Sequence, residues 1–343
     1  VTVQKAVDAD SHSFAELMLA VNKPLLYDSS ANIFDFQRFL AHFREAAREI
    51  ETKSTLLALK GDWLGAIEMQ ANGFLVEKHA AQQPGIIGNL IALSVAGITT
   101  SGIQSLLTHA QPDASLCEAA VAAISGNQSE ISFKRALQTD PPVILANFDE
   151  MLSAIKVGRV TNEKINTFSP ADKNFFEDVI DAEEATYLNS VCSAVEVADE
   201  PPVARRASLA ELLISTRSPY KQHPGDPIIS SADEGFDPTE LAKNLAQKND
   251  LLSAREQVLL AGAQVLAVKA KTGSFPAVLP GGFADPFTGK QLIYKLSGSG
   301  FVVYSVGPSG HFDGSSPQGK GDDSAFTYPA SLPVPVPQDL LQN

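Results

Sequence analysis

Leu56-Leu57-Ala58-Leu59-Lys60-Gly61-Asp62-Trp63-Leu64-Gly65-Ala66-Ile67 decides how the chain is read, because it holds a helix end, a stop, a cap and the start of a new helix. Upstream, Ile33, Phe36, Phe39, Leu40, Phe43, Ala47, Ile50 and Leu57 recur at three- and four-residue steps, with Arg38, Glu45, Arg48 and Glu49 between them. That spacing places the apolar side chains on one stripe of a helix from Ile33 to Ala58. Gly61 suits the left-handed backbone that closes a helix, and the Asp62 carboxylate can accept from the first free amides of the next one. Downstream, Trp63, Ala66, Ile67, Met69, Gln70, Phe74 and Leu75 carry that second helix.

Helices continue outward from this hairpin. Gln83-Pro84-Gly85 breaks the chain before a helix from Gly85 to Leu107, in a stretch with no Asp, Glu, Lys or Arg between Lys78 and Asp113. It is long enough to cross a bilayer. Asn89, Ser94, Thr99, Thr100, Ser101, Gln104 and Ser105 dilute it, however, and no Lys, Arg, Trp or Tyr marks its C-terminal end. A helix buried on all sides of a bundle is the expectation. Further helices are predicted from Ala114 to Ile124, Ser132 to Thr139, Val143 to Ile155 and Ala171 to Val195. Pro201, Pro202, Pro219, Pro224, Pro227 and Pro238 mark 199–238 as a linker region with one short helix near Ala207 to Ile214.

The C-terminal third follows a different plan. A long helix starts after Asp237-Pro238 and ends at Lys271-Thr272-Gly273. Strands from Gln291 to Leu296 and from Phe301 to Val306 flank Ser297-Gly298-Ser299-Gly300, a tight-turn composition. A hairpin alone is unstable, so it must pack on the long helix, with Ile293, Val303 and a face of Tyr294 or Tyr304 as the expected contacts. The predicted fold is therefore mainly α, and α+β overall. A helical domain covers 1–198, the linker region 199–238, a helix and β-hairpin domain 239–328, and an extended proline-rich tail 329–343.

Two resemblances add to this reading. The Leu56–Ile67 phrase resembles the helix-turn-helix of tetratricopeptide-type (TPR-like) repeats, where small residues let paired helices approach, but it occurs once and without a 34-residue echo, so a single hairpin is expected. In the C-terminal third the ordered set is Gly273-Ser274-Phe275-Pro276, Asp285-Pro286-Phe287-Thr288-Gly289-Lys290, Tyr294, Gly300-Phe301, Tyr304-Ser305-Val306-Gly307-Pro308-Ser309-Gly310 and Asp313-Gly314. It resembles the C-terminal half of type II secretion major pseudopilins, and the tail of a family of uncharacterised bacterial envelope proteins with a helical region before it. The resemblance implies an extracytoplasmic, periplasmic or envelope location, and calcium in the loop after the second strand. The sequence shows no hydrophobic N-terminal helix with a prepilin processing site, so a filament subunit is not expected. The chain begins at Val1, which leaves open an upstream leader or membrane anchor, or simple trimming.

Composition narrows the function classes. The chain of 343 residues has 40 acidic and 26 basic side chains, a net charge of -14, which argues against nucleic acid as a partner. More than half of that excess lies in Ala171–Glu200, with nine acidic residues and one lysine, whereas 236–343 is nearly neutral. Within the acidic helix Glu177, Asp178, Asp181 and Glu184 lie on neighbouring turns without a histidine nearby, the pattern of a solvated face.

Candidate chemistry is sparse. Asp313, Asp322 and Asp323, set among small residues that free backbone carbonyls, form a candidate calcium site, although their spacing does not match the EF-hand pattern. His12, His42, His79, His109, His223 and His311 show no zinc-like spacing. No GxSxG, HExxH, Walker or GxGxxG pattern occurs, and Gly289-Lys290 is followed by Gln291 where a P-loop needs a hydroxyl. Cys117 and Cys192 fall in helices, and two buried small hydrophobes is preferred over a disulfide. The expected function is a non-catalytic extracytoplasmic protein that offers a surface to a protein partner. A hydrolase with its site between the domains, or a secretion- or pilus-associated component, is the alternative.

Overall fold

The computed structural model describes residues 11–20, 22–23, 33–111, 113–127, 131–156, 170–215, 238–310 and 324–329. Its elements are, in order, α1 (Ser11–Ala20), α2 (Ile33–Leu59), α3 (Trp63–Ala71), α4 (Gly73–Ala81), α5 (Gly85–His109), α6 (Ala114–Gly126), α7 (Phe133–Lys156), α8 (Pro170–Glu196), α9 (Pro202–Ser215) and α10 (Pro238–Thr272), then β1 (Ile293–Ser297), β2 (Gly300–Ser305) and β3 (Ser324–Tyr328). The fold is mainly helical with a small antiparallel sheet. Two compact units are present, one of Val1–Gln83, Leu90–Ile131 and Lys248–Asn343, the other of Pro84–Asn89 and Ser132–Gln247.

In the first unit the turn between α2 and α3 forms as its residues dictate. Gly61 has φ +88°, and Asp62 accepts from the Gly65 amide at 2.9 Å. The second helix of the hairpin is shorter than the apolar spacing suggests, since it stops at Asn72 and α4 restarts at Gly73. One core gathers Ile67 and Phe74, Ile103 and Leu107 of α5, Leu116 and Ala120 of α6, and Leu259, Ala263 and Leu266 of α10. The sheet adds Phe301, Val303 and Phe326 to the same core, with Phe301 and Phe326 stacked at 5.8 Å.

Buried threonines explain how an uncharged but diluted α5 sits in this interior. Thr99 and Thr100 donate to the Val95 and Ala96 carbonyls of their own helix at 3.0 and 2.8 Å, so their hydroxyls enter the core satisfied. By length and composition α5 and the Thr239–Thr272 part of α10 are long and apolar enough to cross a membrane. Here each contributes residues to packed cores.

The sheet has the order β1-β2-β3, both pairs antiparallel. The hairpin falls close to its expected position, while β3 is an addition the sequence reading lacked. Register decides which side chains face the core: Tyr294 lies opposite Val303 and Leu296 opposite Phe301, whereas Ile293 lies opposite Tyr304. Ile293 is therefore on the face away from Val303 and is 36% exposed, which corrects the expectation that it packs inward. Tyr294 packs at the core margin and donates to the Pro276 carbonyl at 2.8 Å.

In the second unit, α7 runs as one helix from Phe133 to Lys156 with Pro141 and Pro142 inside it, where two helices were expected. The prolines remove two amide donors from the helix, yet a second role keeps the segment in place. Thr139 Oγ1 accepts from the Gly85 amide at 2.8 Å, and Asp140 Oδ1 accepts from the Ile86 amide at 2.7 Å. Together they cap the start of α5 within this unit. Tyr187 of α8 donates to the other Asp140 oxygen at 2.5 Å. Burial raises the Asp140 carboxyl above the usual range, against the lowering effect of the Ile86 amide and the Tyr187 hydroxyl. The linker region is helical over Pro202–Ser215, a longer helix than expected.

Candidate functional site

The sequence-derived metal candidates Asp313, Asp322 and Asp323 lie outside the described residues, as do His223 and His311. Among the described residues no group of three or more His, Cys, Asp or Glu side chains is placed to hold a metal ion. On the acidic helix Asp178 and Asp181 are exposed and Glu184 is half-buried, while the Glu177 side chain lies outside those described. Cys117 and Cys192 are free thiols. Cys117 is buried, and burial with the nearby Asp113 and Glu118 pushes it up to about 11, so it behaves as a small apolar group. Cys192 is exposed, contrary to the expectation of two buried hydrophobes.

Two features of the first unit carry chemistry that motif searching passed over. The first is a partly open cavity of about 270 Å³ lined by Phe74, Ile124, Asn127, Ser253, Glu256, Gln257 and Leu260. Its walls come from α4, α6 and α10. Phe74, Ile124 and Leu260 give it apolar surface, while Asn127, Ser253, Glu256 and Gln257 supply polar atoms. Glu256 Oε1 is shielded from solvent and has no hydrogen-bond partner. Burial, and then the charge of Glu77, push the Glu256 carboxyl up to about 8. Glu77 itself is 1% exposed on α4. The neighbouring Arg255 guanidinium approaches Gly97 of α5, and burial lowers its pKa.

A signal for these carboxylates was present in the sequence. Leu252, Glu256, Leu259 and Ala263 share one helical stripe of α10, and Gly73, Glu77 and Ala80 share one of α4. An acidic residue at a stripe position is a buried carboxylate in waiting. Neither fits a named motif.

The second feature is the outer edge of β1. β2 pairs with it on one side; on the other, the Ala284–Gln291 bridge and the Leu292 amide donating to the Phe283 carbonyl at 2.9 Å close the approach to β1, and no strand among the described residues pairs with β1 itself. Leu296 is 52% exposed and Ile293 36%, and they point to opposite faces of the sheet. The opposite edge is different, because the Gln104 side chain of α5 donates to the Ala325 carbonyl of β3 at 2.8 Å.

A turn fixes where β1 starts. Asp285, 2% exposed, accepts from the Phe287 amide at 2.9 Å and the Ser305 hydroxyl at 3.0 Å on one oxygen, and from the Val306 amide at 3.1 Å on the other. The Asp285 carbonyl accepts from the Gly289 amide at 2.8 Å, with Gly289 at φ +68°. The Asp-Pro turn and the end of β2 are thus tied by one carboxylate. Neither a protein-family model, nor a curated protein, nor a solved structure matches the chain.

Proposed function

We propose that the protein is a non-catalytic extracytoplasmic interaction module, which takes an extended segment of a protein partner along the free edge of β1. The observation that carries this reading is the contrast between the two sheet edges: β3 is engaged by Gln104, while β1, beyond the Ala284–Gln291 bridge that precedes it, has no second partner strand among the described residues and carries the exposed Ile293 and Leu296. An unpaired edge offers a row of main-chain donors and acceptors, and an added strand alternates its side chains between the two faces. Ile293 and Leu296 would then contact successive side chains of the incoming segment.

Retention of envelope proteins by the intact protein and by an Ile293→Asp/Leu296→Asp variant tests this. Both side chains are exposed, so the variant should fold with little loss of stability. A protein retained by the first and lost by the second is expected; equal retention would contradict the reading. The extracytoplasmic placement draws on the likeness of 273–314 to pseudopilin tails. A start codon directly before Val1 in the gene, with no leader, would count against it.

The Glu77 and Glu256 carboxyls favour a second reading, a hydrolase in which a protonated Glu256 serves as general acid. Turnover of an ester and glycoside panel at neutral pH, lost in Glu256→Gln, would support it; no turnover would count against it.

A further inference from the structure

The cavity between α4, α6 and α10 is lined by one acidic side chain, Glu256. The Glu256 side chain lines it, with Oε1 shielded from solvent and accepting no hydrogen bond, and a second buried carboxyl, Glu77, adds its negative potential. Among the cavity-lining residues no basic side chain is present, and Asn127, Ser253 and Gln257 are the other polar groups. The remaining wall is apolar, formed by the Phe74 ring with Ile124 and Leu260.

A carboxylate deprived of both water and a donor is costly, and its protein environment normally provides a counter-charge or a hydrogen bond. In the free protein a proton on Glu256 meets that cost, and the cavity along the rest of the side chain leaves room for a cation in its place. We infer that this cavity binds a small organic cation of the alkylammonium class, with the ammonium on Glu256 and the hydrocarbon against Phe74, Ile124 and Leu260. An ammonium supplies three donors, of which Ser253 and Asn127 oxygens can accept those not taken by the carboxylate. The Phe74 ring adds an aromatic surface that suits a cation or its attached methylenes. The volume lies just below the usual range for drug-sized ligands, so a short-chain amine matches it better than a large one.

Proton linkage follows from the same arrangement. Glu256 is largely protonated at neutral pH in the free protein, and the titratable group that acts on it is Glu77. Holding an ammonium ionises it. Binding near neutral pH should therefore release up to about one proton, visible as a dependence of the binding heat on the ionisation enthalpy of the buffer.

Isothermal titration of the full chain with n-butylammonium chloride, and with n-butanol as a neutral match in size, tests the inference. Saturable butylammonium binding at least about tenfold tighter than butanol, with proton release, is expected because a charge-assisted hydrogen bond exceeds a neutral one. Glu256→Gln should abolish both the preference and the proton release. Ser253→Phe, which fills the cavity and keeps the carboxylate, should remove binding while the thermal melt stays cooperative. Equal binding of the two probes, unchanged preference in Glu256→Gln, or no saturable binding of butylammonium would each overturn the inference.

Discussion

Asp285 shows how much one side chain can hold. Its two oxygens accept three hydrogen bonds in a site from which water is excluded, and they join the 285–289 turn to the end of β2. Asp285→Ala leaves a buried hydroxyl and two buried amides without acceptors, so a loss of about 3 kcal/mol is expected in urea unfolding. Loss below about 1 kcal/mol would mean that water replaces the carboxylate. Glu256 acts in the opposite sense. Its folded pKa of about 8 lies above the ordinary glutamate value of 4.5, so the folded state holds a proton that the unfolded state gives up. That contribution is fully present below pH 4.5 and is lost as pH rises through about 8. Stability should fall by on the order of 5 kcal/mol across this window. Glu256→Gln should flatten the decline and be the more stable protein at pH 8.5, as measured by urea midpoints at pH 5 and pH 8.5. Parallel declines in the two proteins would place the proton elsewhere.

At the scale of elements, close approaches set what can be substituted. A Cβ at Gly262 of α10 would lie 2.5–2.7 Å from ring atoms of Phe326, itself fully buried on β3. Gly262→Ala should therefore cost about 2 kcal/mol through overpacking. Gly126, at the end of α6, meets nothing within 4 Å, and Gly126→Ala should be neutral or stabilise by up to about 1 kcal/mol. Thermal melts of the two variants check the pair; similar shifts would show that the sheet does not rest on α10 as described. The helices were legible because their stripes and stop signals agree, as at Gly61-Asp62 and at Gly273, whose φ is +81°. Elements were missed where tertiary contacts outweighed local signals. α7 passes through Pro141-Pro142 because Asp140 and its neighbours are held by α5 and α8, and β3 forms because Phe326 pairs with Val303 and Tyr328 with Phe301, although its five residues are a short run between a glycine-rich segment and the prolines that follow. Ile293 was misplaced for a simpler reason, since face assignment changes with a shift of one residue in register.

For the whole molecule, the sequence reading identified a mainly helical chain with a different C-terminal third, and the described structure has that character. The candidate site was far less legible. Glu77 and Glu256 come together from α4 and α10, about half the length of the chain apart, and spacing rules address ligands that are close in sequence. The free edge of β1 was equally hidden, because edge status depends on which strands pair and not on the strand's own residues. The account's central claim is that this edge takes a partner's strand. Photocrosslinking in native cells, with benzoylphenylalanine placed at Ile293 on β1 and separately at the exposed Val203 on α9, tests it most directly. A discrete adduct from position 293, absent from position 203 and lost on adding Leu296→Asp, is the expected result. No adduct at 293, or one that persists unchanged with Leu296→Asp, would contradict the claim.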